Sequence, residues 1–133
     1  MEAVVTKDAP APAGHYSQGV VHGGLVYVAG QLGKDPARPE AGPGTLEEQT
    51  ERALRNVEAV LKAAGSDLSH VVQVTVYVSD ASFWGRVNEI YARVMGSARP
   101  ARAIVPVNEF RGGWQVEVAA IAAVPSDSGA SPS

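Results

Sequence analysis

Two charged side chains interrupt stretches that otherwise read as core strands. In "RPARAIVPV", Arg99 to Val107, Arg102 comes just ahead of Ile104 and Val105, and in "VEVAAIA" Glu117 sits between Val116 and Val118. A guanidinium half-buried in such a strand needs a partner, because an unpaired charge out of water is costly. The partner is either a protein carboxylate, the commoner arrangement, or a ligand carboxylate or phosphate held by the planar fork. Glu117 poses the matching choice. Burial raises a carboxyl pKa and a nearby guanidinium lowers it. Glu117 is therefore either a base or water-orienting group usable near neutral pH, or the carboxylate that neutralises Arg102 across neighbouring strands.

Other polar positions carry weaker signals. "GHYSQG" places Tyr16, Ser17 and Gln18 in succession in an extended segment, where a tyrosine more often packs with a satisfied hydroxyl than reacts. Gly30 in "AGQLG" ends an apolar strand, where a missing side chain lets backbone groups reach a ligand. Asn88 lies one step round a helix from the apolar stripe carrying Val87 and Tyr91, which is also where a surface amide sits. His15, His22 and His70 show no paired metal-ligand spacing, so no metal is expected. Ser17 and Ser69 lack a nucleophile elbow, and the glycine pairs match neither a P-loop nor a dinucleotide fingerprint.

The chain that must position these groups has 133 residues, enough for one domain with a real core, assigned to 1–125. Its formal net charge of -3, with no basic stripe, argues against a nucleic-acid partner. No apolar run is long enough to span a bilayer, and the start has no basic segment followed by an apolar one. A soluble, cytoplasmic protein is expected. The absence of cysteine excludes disulfides, thiolate zinc sites and cysteine nucleophiles.

Patterning predicts the order β-β-β-α-β-α-β-β, an α+β domain. A short apolar start at Ala3 to Thr6 leads into "DAPAPAG", which should run extended. Val20–His22 and Leu25–Ala29 read as a hairpin joined at Gly23-Gly24. The Pro- and Gly-rich "KDPARPEAGPG" reads as a surface connector, with a covering loop as the alternative. Thr45 and Glu48 match a capping box, and the stripe Ala53, Leu54, Val57, Val60, Leu61 and Ala64 continues the helix to Gly65. Strict alternation then puts Val72, Val74, Val76 and Val78 on one strand face. Asp80 or Ser82 can cap a second helix with Phe83, Val87, Ile90, Tyr91 and Val94 inward, ending near Gly96. Strands Ala101–Val107 and Gln115–Val124 follow, the second apolar on both faces. Two helices cover only one face of such a sheet, which leaves an apolar face for another subunit and predicts an oligomer. Residues 126–133 lack anchors and are expected to be disordered.

Taken in order, "GHYSQGVVHGGLVYVAGQL", "EEQTERALRNVEAVLKAAGSDLSHVVQVTVYVSD", "FWGRVNEIYARVM", "RPARAIVPV" and "VEVAAIA" resemble the RidA (YjgF) family of small enamine/imine deaminases. The resemblance runs from near the N-terminus to about Ala122. It implies a chorismate-mutase-like fold, a mostly antiparallel sheet with two helices on one face, assembled as a homotrimer with sites in the subunit clefts. It further implies hydrolysis of 2-aminoacrylate and related 2-imino acids to 2-keto acids and ammonia, with no cofactor. By the same resemblance Arg102 clamps the substrate carboxylate and Glu117 positions and deprotonates water. Tyr16 is a third catalytic residue that borders the pocket and hydrogen-bonds the water or amine, Gly30 offers backbone hydrogen bonds, and Asn88 is a polar group near the cleft. Ile104, where some members have cysteine, Ala29, Ala119 and the segment "FRGGW" depart from the family pattern and bear on the substrate. A bulkier enamine such as an aminomuconate, or a trimer that only binds small molecules, are the competing functions.

Overall fold

A computed structural model describes residues 1–126, so the expected disordered tail lies, past Ser126, outside the described residues. The elements are β1 (Glu2–Val4), β2 (Gly19–His22), β3 (Leu25–Leu32), α1 (Leu46–Ala63), β4 (Val71–Val78), α2 (Trp84–Met95), β5 (Ala101–Pro106) and β6 (Val116–Ala123). Single 3-10 turns at Leu68–His70, Ala81–Phe83 and Arg111–Gly113 link them. The strands form one sheet in the order β1-β2-β3-β6-β4-β5. All pairings are antiparallel except β4 with β5. No described helix is long and apolar enough to cross a membrane.

Both helices lie on one face because their apolar stripes need a common cover. Ala53, Leu54, Val57, Val60 and Leu61 of α1 and Val87, Tyr91 and Met95 of α2 join one core with Val26, Val28, Val74, Val76, Val78, Val116 and Val118 of the sheet. The capping box that opens α1 is reciprocal. Glu48 N–H donates to Thr45 Oγ1 at 3.1 Å and Thr45 N–H to Glu48 Oε1 at 2.9 Å. Past its other end, the N–H groups of Gly65 and Ser66 return to the carbonyls of Lys62 and Leu61. The opposite sheet face carries Tyr27, Thr75, Tyr77, Glu117, Ala119 and Ile121 and neither helix covers it; Tyr27 is 42 % exposed there.

The structure corrects several details of the pattern reading. The β4 register jumps between Val71 and Gln73, a bulge that puts Val71 in the core and leaves Val72 51 % exposed, so strict alternation from Val72 does not hold. A second bulge between Val28 and Gln31 carries β3 on to Leu32 and buries Gln31 rather than Gly30 on the core side. Asp80 caps the 3-10 turn that precedes α2, through Ser82 N–H, instead of α2 itself. The opening strand stops at Val4, and Val5 is exposed. Most consequentially, β4 separates β5 from β6, so Arg102 and Glu117 are not on neighbouring strands and cannot neutralise each other as a cross-strand pair.

Candidate functional site

Arg102 is on an edge strand, and its side chain is exposed rather than half-buried. In the parallel β4–β5 ladder Arg102 stands beside Val74, a core residue, so its side chain projects on the helix side of the sheet. There α2 receives it. Arg102 Nη1 donates to Asn88 Oδ1 at 2.7 Å, and the guanidinium carbon is 4.8 Å from the Tyr91 ring centroid and 5.5 Å from that of Trp84. Trp84, Asn88 and Tyr91 fall at i, i+4 and i+7 of α2, so a single helical stripe supplies the hydrogen bond and both aromatic contacts. None of the ion pairs among the described residues includes Arg102. Its Nε and Nη2 donors remain for a ligand. Arg102, Asn88, Tyr91, Met95, Arg99 and Pro100 line a cavity of about 520 Å³. Ile104, two residues on, packs against the core.

Glu117 builds a second cluster on the other face. It alternates with buried Val116 and Val118, so it points away from the helices, between Leu32 of β3 and Tyr77 of β4. Its carboxylate lies against Gly30, where a Cβ would overlap Oε2. The bulge in β3 and the missing side chain at Gly30 together make room for it. Glu117 enters no ion pair among the described residues, and burial pushes its carboxyl pKa up. Tyr16, Gly30, Leu32, Lys34 and Glu117 line a small cavity of about 110 Å³. Tyr16 is 51 % exposed, and its Oη accepts a hydrogen bond from Ala13 N–H at 3.2 Å.

Buried amides hold this second cluster in place. Gln18 Oε1 accepts from Thr6 N–H, while its Nε2 donates to the carbonyls of Thr6, Ala9 and Pro10, which seats the segment leading to Tyr16. Asn56 Nδ2 donates to Leu32 O and Lys34 O, and Gln49 exchanges hydrogen bonds with Gln115, so α1 pins the chain on both sides of Glu117. The sequence reading missed Gln49 and Asn56 as positioning residues. Their spacing held the signal, since 49, 53, 56 and 60 follow one stripe of α1. It also left out Trp84 and the packing of Tyr91 on Arg102. The sequence-expected residues thus gather into two groups, Arg102 with Asn88 and Glu117 with Tyr16 and Gly30, on opposite faces. Among the described residues no cluster of His, Asp and Glu could hold a metal ion.

Comparison with known proteins bears on what these groups do. Residues 6–124 match the family model described as Endoribonuclease L-PSP. The chain is 41 % identical over 119 residues to the 2-iminobutanoate/2-iminopropanoate deaminase of Bos taurus, covering 90 % of this chain and 87 % of the relative. It is 39 % identical over 121 residues to a RutC family protein of Pyrococcus horikoshii, covering 91 % and 96 %. Among solved structures, RidA from an Antarctic Psychrobacter superposes with a TM-score of 0.88 at 35 % identity, covering 93 % of this chain and 100 % of that one.

Proposed function

Since the chain belongs to the Endoribonuclease L-PSP family, which includes RidA, we propose that it is a hydrolytic deaminase of reactive 2-imino and enamine acids, acting as a homotrimer without a cofactor. One observation carries the reading: Arg102 and Glu117, two charged groups without ion-pair partners among the described residues, face opposite ways from one sheet, and neither helix covers the face that carries Glu117. Packing that face against further copies buries it and sets the Arg102 cluster of one copy opposite the Glu117 cluster of the next. The family description names an endoribonuclease, but a net charge of -3 and one carboxylate-sized clamp suit a small acid better than an RNA backbone.

In this site Arg102 takes the substrate carboxylate through Nε and Nη2 while Asn88, Tyr91 and Trp84 hold the guanidinium still. Carbon 2 of a protonated imine is already electrophilic, so the protein has to deliver water. Glu117 accepts a proton from water as the oxygen bonds to carbon 2 and the C=N π electrons move to nitrogen. The proton then passes from Glu117 to the amine, the C–N bond breaks to release ammonia as the hydroxyl gives its proton back to Glu117, and ammonia takes that proton, so 2-keto acid and ammonium leave and Glu117 is again ionised. Partial burial keeps Glu117 basic enough for the first step. A site that only bound carboxylates would need Arg102 alone, so Glu117 separates a catalyst from a binder.

The test generates imines in situ with an amino-acid oxidase or a dehydratase and follows ammonia and keto acid. Faster release than in buffer is expected with several 2-imino acids. Release no faster than buffer with any of them rejects the proposal.

A further inference from the structure

The cavity beside Arg102 is larger than the substrate of a minimal imine deaminase needs. At about 520 Å³ it is in the range of pockets that enclose whole ligands, and an imino acid of three or four carbons would leave most of it to water. A second guanidinium lines it. Arg99, like Arg102, enters no ion pair among the described residues, and it spends only Nη1 on the protein, on Gly96 O at 2.8 Å and Ala98 O at 3.4 Å. That contact also sets positive charge against the carbonyl end of α2, which would otherwise repel an anion. Ala92, Met95 and Pro100 supply an apolar wall to the same cavity. Tyr91, which lines it too, is 6 % exposed, and its Oη is buried with no hydrogen-bond partner among the described residues.

We propose that this cavity selects 2-imino acids whose side chain ends in a second carboxylate. Arg102 holds the carboxylate next to the reacting carbon, the methylene groups run along Ala92, Met95 and Pro100, and Arg99 takes the distal carboxylate through Nε and Nη2. The proposal rests on the deaminase reading above and adds the substrate class.

The test uses the full chain with 2-iminoglutarate, made from glutamate by a glutamate oxidase, against the imine of leucine, made by an amino-acid oxidase. The expected kcat/KM for 2-iminoglutarate is about tenfold or more above that for the leucine imine, and Arg99→Met reduces this ratio by about tenfold, mainly through KM. Equal values for the two imines, or a ratio that Arg99→Met does not move, overturns the proposal. Calorimetric binding of 2-oxoglutarate and 2-oxobutanoate gives a readout independent of turnover. Preference for 2-oxoglutarate that Arg99→Met abolishes supports the dicarboxylate cavity even if no imine is hydrolysed, in which case the deaminase reading alone fails. No preference between the two keto acids rejects the cavity's role whatever the kinetics show.

Discussion

Arg102 and Glu117 project from opposite faces of one sheet, with β4 between their strands, so within a single copy the sheet itself lies between the two groups. A shared site has to take Arg102 from one copy and Glu117 from another. Mixing makes this measurable. Arg102→Ala and Glu117→Gln proteins, each strongly impaired alone, should regain activity when unfolded together and refolded. In a random equal mixture about a quarter of the clefts join an intact Arg102 to an intact Glu117. Recovery near that fraction of wild-type kcat/KM is the expected outcome, and no recovery above the parents would show that the site is not shared in this way.

The pH profile should identify the base. Burial raises the Glu117 pKa, so kcat/KM should fall on acidification at a pH above the usual glutamate range. Glu117→Gln should lose that limb and on the order of 10²-fold in rate. Stability moves the other way. A raised folded-state pKa means that the stabilising contribution is present below the unfolded-state pKa and is lost as pH rises through the folded-state value. Thermal melts should therefore show Glu117→Gln gaining on wild type between mildly acidic and neutral pH.

Gly30 and Gly33 separate activity from stability. A Cβ at Gly30 meets the mobile end of Glu117, which can swing aside, whereas a Cβ at Gly33 overlaps the backbone of Gln49 in α1. Gly30→Ala should fold with a thermal midpoint close to wild type but lose most of kcat. Gly33→Ala should lower the midpoint by several degrees, as expected for a strained core substitution costing about 1–3 kcal/mol. Equal effects of the two changes on the midpoint would contradict this account of Gly30.

Trp84 packs on Arg102, whose guanidinium carbon lies 5.5 Å from the centre of its ring. An exposed cation–π contact is worth about 0.5–1 kcal/mol, so Trp84→Ala should raise KM a few-fold, and Trp84→Phe should restore most of it. Arg102→Lys keeps the charge but loses the fork, and should cost far more than Trp84→Ala in kcat/KM. Parity between the lysine variant and wild type would remove Arg102 from carboxylate binding.

Much of the fold was legible because its signals are local. The capping box at Thr45, the Gly23-Gly24 hairpin and the apolar stripe of α1 each depend on residues a few positions apart, and each formed as expected; in α2, Val87, Tyr91 and Val94 pack inward as expected, while Phe83 lies ahead of the helix and Ile90 stays outside the core. The two bulges were not legible. One extra residue at Val72 or near Gly30 reverses which side chains face the core, and that is decided by the partner strand rather than by the residues themselves. Reading Arg102 and Glu117 as cross-strand neighbours failed for the same reason, since nothing local to either strand says that β4 lies between them. Asn88 looked like a surface amide until β5 placed Arg102 Nη1 within 2.7 Å of it.

The position of β6 in the sheet has a consequence for how the protein is made. It is the last strand in sequence yet lies between β3 and β4, so the growing chain carries two separate half-sheets, each with an apolar edge awaiting a partner. Contacts of such long sequence separation form late and leave strand edges open to wrong pairing meanwhile. Glu117 arrives on that closing strand. A nascent chain can therefore assemble the arginine pocket before synthesis reaches Glu117, and the step that seals the sheet is also the one that delivers the group proposed to activate water.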